Sequence, residues 1–131
     1  MLTNNMTPSM EDYLETILFL FQRNGNVRVT DVALEMGISK PSVNKAINIL
    51  KTQGYVQHEH YGLLSLTEQG AALAAEVADR HFALKRFLHG LLGVDEKKAE
   101  DEACRMEHTM SRETVALLKA YLEKVLPDTK G

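Results

Sequence analysis

Cys104, Glu107 and His108 place a thiol, a carboxylate and an imidazole one helical turn apart. On an α-helix, residues three and four apart are neighbours, so a helix running from about Asp95 to Thr109 turns all three donors toward one side. Each donor type is a competent ligand for a divalent transition metal. Taken singly, the residues have plainer uses: a lone cysteine is more often a small buried hydrophobe, and a lone histidine a surface or hydrogen-bonded core imidazole. Together they point to a metal site, though three donors do not saturate an octahedral ion. The remaining candidates are His81, in a long apolar-periodic stretch, and Asp12 with Glu15 near the N-terminus. Asp12 also has a plainer reading, as an acid favouring the positive end of a helix dipole.

Two other chemistries fit less well. Cys104 as nucleophile with His108 as base would need a third residue to orient the base and a loop to hold an oxyanion, and neither is apparent, so no enzyme is expected. In Gln57-His58-Glu59-His60 the donors alternate along an extended segment and so point to opposite faces, which argues for solvated or DNA-facing side chains.

The elements that must carry these residues can be read in order. Thr7-Pro8 reads as cap and first position of a helix to about Arg23, with Met10, Tyr13, Leu14, Ile17, Leu18 and Phe21 as its apolar stripe. Asp12, Glu15 and Phe19 fall together on the opposite side, an aromatic beside two acids, which suggests a helix packed on both sides with its acids facing something cationic. After Asn24-Gly25-Asn26, Thr30 is the expected cap of a short helix ending at Gly37. Ser39 then caps a second helix with Pro41 in its first turn, Val43, Ala46, Ile47 and Leu50 as its buried stripe, and Gly54 as its stop. Two short helices across a tight glycine turn are the helix-turn-helix pattern. The outer face of the second helix presents Lys40, Ser42, Asn44, Lys45, Asn48 and Lys51, side chains suited to phosphates and base edges.

Tyr55–Glu59 and Leu63–Leu66 read as two strands about His60-Tyr61-Gly62, a wing. Thr67 caps a helix of about 25 residues, with apolar positions from Ala71 to Leu92 and Gly93 following it. Asp95 opens the helix bearing Cys104, and Ser111 opens a last one with Val115, Leu118, Tyr121, Leu122 and Val125 before Pro127. So much apolar helix surface implies a shared interface, most simply a homodimer, which would offer two recognition helices to a two-fold symmetric site on double-stranded DNA.

Composition agrees. The net charge of −3 is unevenly spread: residues 23–67 carry five Lys or Arg against three acids, whereas residues 68–131 carry ten against twelve. The middle segment is thus the candidate polyanion face. The single cysteine fits a reducing, cytoplasmic setting. No signal peptide is visible, and the longest apolar run, Ile17–Phe21, is too short to span a membrane.

The chain resembles the diphtheria toxin repressor family of metal-dependent bacterial transcription factors, which has iron- and manganese-dependent branches. The segments that carry the resemblance are Ser9-Met10-Glu11-Asp12-Tyr13-Leu14-Glu15, the helix-turn-helix between Val29 and Val56, Arg80-His81, and Asp101-Glu102-Ala103-Cys104-Arg105-Met106-Glu107-His108. It implies a mainly α protein, with a winged helix-turn-helix over residues 1–67 and a helical metal-binding and dimerisation lobe over residues 68–131. The implied ligands are Asp12, Glu15, His81, Cys104, Glu107 and His108, for Fe2+ or Mn2+, with Zn2+, Co2+ or Ni2+ also able to bind in vitro. The implied DNA contacts are Ser39, Pro41 and Lys45 on base edges and Lys40 and Lys51 on phosphates. Cys104 resembles the iron branch; Asp12 with Glu15 resembles the manganese branch. Lys85 and Glu100 stand where the iron branch has, respectively, an acid and a second histidine of an ancillary site. The chain is also shorter than iron-type members by a C-terminal SH3-like domain. The expected function is metal-dependent repression of transcription in metal homeostasis, with the metal clamping the helix of Asp12 to the dimerisation lobe. The rival is a winged-helix regulator sensing a small organic ligand, with Cys104 and His108 structural.

Overall fold

The structure, a computed structural model, describes residues 8–59 and 62–126. The expectations placed on Thr7 as a cap, on His60 and Tyr61 at the strand bend, and on Pro127 lie outside the described residues. The chain forms two compact units, Met1–Glu76 and Val77–Gly131.

The first unit is built on α1 (Pro8–Asn24), whose Tyr13, Leu14 and Ile17 enter the core as their spacing requires. The stripe then departs from expectation: Leu20 is 1% exposed and Phe21 53%. Three-residue steps from Leu14 to Ile17 to Leu20 keep one line on the helix, and Phe21 falls beside it. On the far side, Phe19 is exposed and covered by the Arg23 guanidinium, 5.1 Å from the ring centroid.

A two-residue strand, β1 (Val27–Arg28), leads into α2 (Val29–Met36). Thr30 is not its cap. The helix begins one residue before Thr30, and the Asp31 carboxylate accepts the Arg28 backbone N–H at 2.8 Å, satisfying the donor that the cap must satisfy. Gly37, at φ 69°, turns the chain through the left-handed region, where a side chain is costly, into α3 (Lys40–Thr52). There Ser39 Oγ accepts the Ser42 N–H at 3.2 Å, as expected. Val43, Ala46, Ile47 and Leu50 of α3 are buried, each larger aliphatic contributing roughly 2 kcal/mol through area removed from water. β2 (Val56–His58) and β3 (Leu63–Leu66) pair antiparallel, Val56 opposite Leu66, and β1 adds to the other side of β3, Val27 opposite Leu64. Helix-turn-helix plus wing is therefore the observed architecture. β1 was not foreseen, because two residues carry no periodicity.

Thr67 connects the wing to α4 (Glu68–Lys85): its hydroxyl donates to the Gly54 carbonyl at 2.6 Å and accepts the Gly70 N–H at 3.0 Å. Gly70 is obligatory for close approach, since a Cβ there would sit 1.9 Å from the Tyr55 carbonyl oxygen.

The second unit begins within α4. The expected single long helix is interrupted: Arg86–Leu91 is a π-helical segment, with bonds such as Leu92 N–H to Phe87 carbonyl at 3.1 Å. Arg86 donates to the Leu126 carbonyl at 2.6 Å, and Gly90 faces the Leu126 side chain, so the widened turn receives the end of the last helix. Asp95 caps α5 (Glu96–Met106) and Ser111 caps α6 (Arg112–Val125). Between them Glu107–Thr109 tightens into a 3-10 turn, so the expected α-helix to Thr109 ends at Met106. Leu84, Leu88, Ala99 and Ala103 form the core of this unit; the two alanines let α5 approach closely. Tyr121 and Val125, expected in the apolar stripe of α6, are exposed beside buried Val115 and Leu122.

Candidate metal centre

Ala99, Ala103 and Glu107 lie four residues apart on one line, and that line faces inward: all three are buried. The first two are apolar. The third is a carboxylate with 0% exposure, placed by the backbone where a hydrophobe would be unremarkable. A carboxylate taken out of water must be compensated by hydrogen bonds or positive charge.

That compensation is half present. Glu107 Oε1 lies 2.7 Å from His81 Nδ1 on α4, and Oε2 lies 3.5 Å from His108 Nε2, too long for a hydrogen bond. Oε2 is buried without a hydrogen-bond partner. The other edge of His81 is also occupied: Nε2 is 2.9 Å from Glu100 Oε2. Held between two carboxylates, the imidazole is pushed up to about 9, chiefly by its hydrogen bond to Glu107; burial opposes this and the bond to Glu100 adds to it. Burial raises the Glu100 carboxyl, but His81 and Lys85 outweigh that and leave it below its ordinary value. Lys85 Nζ is 3.2 Å from Glu100 Oε1, which holds the ammonium above the usual lysine range. Arg80, also buried, donates to the Met110 carbonyl at 3.4 Å and ties α4 to the chain just after the 3-10 turn.

His81, Glu107 and His108 are thus brought together within this unit. Cys104, one turn before His108, is exposed on α5, in contrast to Glu107. No three His, Cys, Asp or Glu among the described residues of this unit alone offer ligand atoms all within 4.8 Å of one another. A buried carboxylate oxygen lacking a partner, flanked by imidazole nitrogens, fits a divalent transition metal in donor type and in charge. Asp12 and Glu15, the other expected ligands, are half-buried on α1 of the first unit. Glu100 and Lys85 were not expected to hold His81, because spacing within one helix cannot show which residues of another will face it.

The other candidate surface is α3. Ser39, Lys40, Pro41, Ser42, Asn44, Lys45 and Lys51 are all exposed, as is Asn48, while the opposite face is core. No helix among the described residues is long and apolar enough to cross a membrane.

A winged helix-turn-helix with a cationic outer helix, joined to a helical unit that buries a carboxylate beside two histidines, is the build expected of a metal-responsive DNA-binding regulator. Two family models match the chain: "Iron dependent repressor, N-terminal DNA binding domain" over residues 5–64, and "Iron dependent repressor, metal binding and dimerisation domain" over residues 67–131. A transcriptional regulator of the helix-turn-helix type from Methanocaldococcus jannaschii is 40% identical over 120 residues, which is 91% of this chain and 96% of that protein. The transcriptional regulator MntR of Lysinibacillus sphaericus is 37% identical over 105 residues, covering 80% of this chain and 75% of its own. Among solved structures, the manganese regulator SloR aligns with a TM-score of 0.80 at 30% identity over 90% of this chain. The chain spans about half the length of that structure, 55%. The chain belongs to the iron-dependent repressor family, whose members are metal-dependent transcriptional repressors and not enzymes.

Proposed function

We propose that the protein is a homodimeric repressor that binds a two-fold symmetric operator in double-stranded DNA when loaded with Fe2+ or Mn2+, and so controls genes of metal homeostasis. The observation that carries the metal half is the fully buried Glu107, with one oxygen lacking a hydrogen-bond partner beside two imidazoles. His81, Glu107 and His108 are the ligands of the second unit, Cys104 a further donor on their flank, and Asp12 and Glu15 the carboxylates contributed by α1. A bound divalent ion supplies the positive charge and directional coordination that these donors lack. Metal occupancy raises the population of the DNA-competent arrangement rather than creating a new fold. Zn2+, Co2+ and Ni2+ are expected to bind in vitro, since affinity order alone favours several of them over Fe2+ and Mn2+.

On the DNA side, Ser39, Pro41 and Lys45 are assigned to base edges, Lys40 and Lys51 to phosphates, and Ser42 and Asn44 to the same interface. Two α3 helices in a homodimer would enter successive major grooves about 34 Å apart. Selection of DNA sites from a random library tests this reading. Symmetric half-sites about one turn apart should be recovered with Mn2+ and not with excess chelator; recovery of the same sites in chelator would contradict it.

A further inference from the structure

We propose that Glu100, anchored by Lys85, is a positioning residue for His81: it engages the Nε2 edge of the imidazole and so commits the Nδ1 edge, which faces Glu107, to metal donation. The inference rests on the metal-binding reading above and concerns a pair of residues to which that reading gives no role.

An imidazole has two donor edges, and a ring free to turn about its outer torsion can present either one. In this protein the ring is gripped at both ends, at 2.7 Å by Glu107 and at 2.9 Å by Glu100. The two carboxylates are not equivalent. Glu107 is wholly buried and keeps one oxygen without a hydrogen-bond partner, whereas the Glu100 side chain is 50% exposed and both its oxygens are engaged, Oε2 by His81 and Oε1 by Lys85. A carboxylate with both oxygens already engaged by side-chain partners and open to water is a poor candidate for a ligand and a good one for an anchor. A metal-bound histidine commonly donates its second ring N–H to such a group, which fixes the tautomer and the ring plane and raises the basicity of the ligating nitrogen.

The arrangement follows from spacing on two helices. His81 and Lys85 are one turn apart on α4, and Glu96 and Glu100 are one turn apart on α5. Facing each other, they form a ladder in which Lys85 meets Glu100 at 3.2 Å and Glu96 at 3.6 Å, and Glu100 meets His81. Glu96 keeps Lys85 over Glu100, and Glu100 keeps the ring in place.

Calorimetric titration of the full chain with Mn2+ tests the proposal, using Glu100→Ala, Lys85→Met, His81→Ala and the Glu100→Ala/His81→Ala double variant. Glu100→Ala should weaken Mn2+ binding by about 10–100-fold, the usual cost of losing a partner behind a metal ligand. Lys85→Met should give a smaller loss in the same direction. In the His81→Ala background, Glu100→Ala should add no further loss, because the carboxylate acts only through the ring. In the zinc-loaded protein the Nε2–H proton of His81 should be visible by NMR and disappear in Glu100→Ala. Glu100→Gln, which keeps an acceptor oxygen and is the gentler test of folding, should retain more affinity than Glu100→Ala. Equal Mn2+ affinity of wild type and Glu100→Ala, or a full second loss in the double variant, would overturn the proposal. A wild-type chain that takes up no Mn2+ at all would overturn the metal reading itself, a result distinguishable from either.

Discussion

Glu107 shows why residue type and burial must be read together. A carboxylate at the inward position after Ala99 and Ala103 is costly unless positive charge meets it, and His81 meets only one of its oxygens. The spacing of Glu107 and His108 was legible in the sequence as a pair of neighbouring candidate donors, but the burial that separates Glu107 from exposed Cys104 was not, because it depends on where α5 tightens into the 3-10 turn. The His81 imidazole gives a pH prediction for the metal-free protein. Its folded value, about 9, lies above the ordinary 6.5, so the stabilisation from its two carboxylates is complete below about pH 6.5 and is lost as pH rises through 9. In excess chelator the melting temperature should therefore fall across that window, and His81→Gln should flatten the fall; an unchanged slope would count against the assignment. Cys104→Glu replaces a soft donor by a hard one. If Cys104 ligates, its Mn2+ affinity should rise relative to Fe2+ in anaerobic titrations, and an unchanged ratio would remove Cys104 from the ligand set.

The elements show which local signals govern. Serine, threonine and aspartate caps at Ser39, Thr67, Asp95 and Ser111, and glycine turns at Gly37 and Gly54, were legible because each satisfies or bends the backbone within a few residues of itself. Thr30 failed as a cap because the helix starts at Val29, with Asp31 reaching back three residues to the Arg28 N–H. β1 and the π-helical segment escaped for a different reason. Each depends on a distant partner, β3 in one case and the end of α6 in the other. Gly70 belongs with them, since only the fold puts its Cα against Tyr55. Gly70→Ala should gain about 1 kcal/mol of helix propensity. Against that, overpacking typically costs about 1–3 kcal/mol, and here the clash is with backbone at 1.9 Å, which cannot swing away. The net result should be a lower melting temperature by thermal denaturation; a gain would show that the start of α4 can shift freely.

For the molecule as a whole, the distribution of charge mattered more than its total. A net −3 is unpromising for a DNA-binding protein, yet the one basic segment carries the exposed face of α3, opposite that helix's buried stripe. The winged helix-turn-helix and the helical second unit were legible from periodicity and caps; the identity of the metal was not, because the candidate donors mix a thiol with carboxylates and imidazoles. The central claim is that metal at Glu107 governs DNA binding. It is tested most directly by the affinity of wild type and Glu107→Gln for a selected site, followed by fluorescence anisotropy as Mn2+ is added. Wild type should tighten by roughly 5–150-fold, the usual range of coupling between two sites, while Glu107→Gln should keep only its metal-independent affinity. A Glu107→Gln response equal to that of wild type, or a wild type that binds equally well in chelator, would contradict the claim.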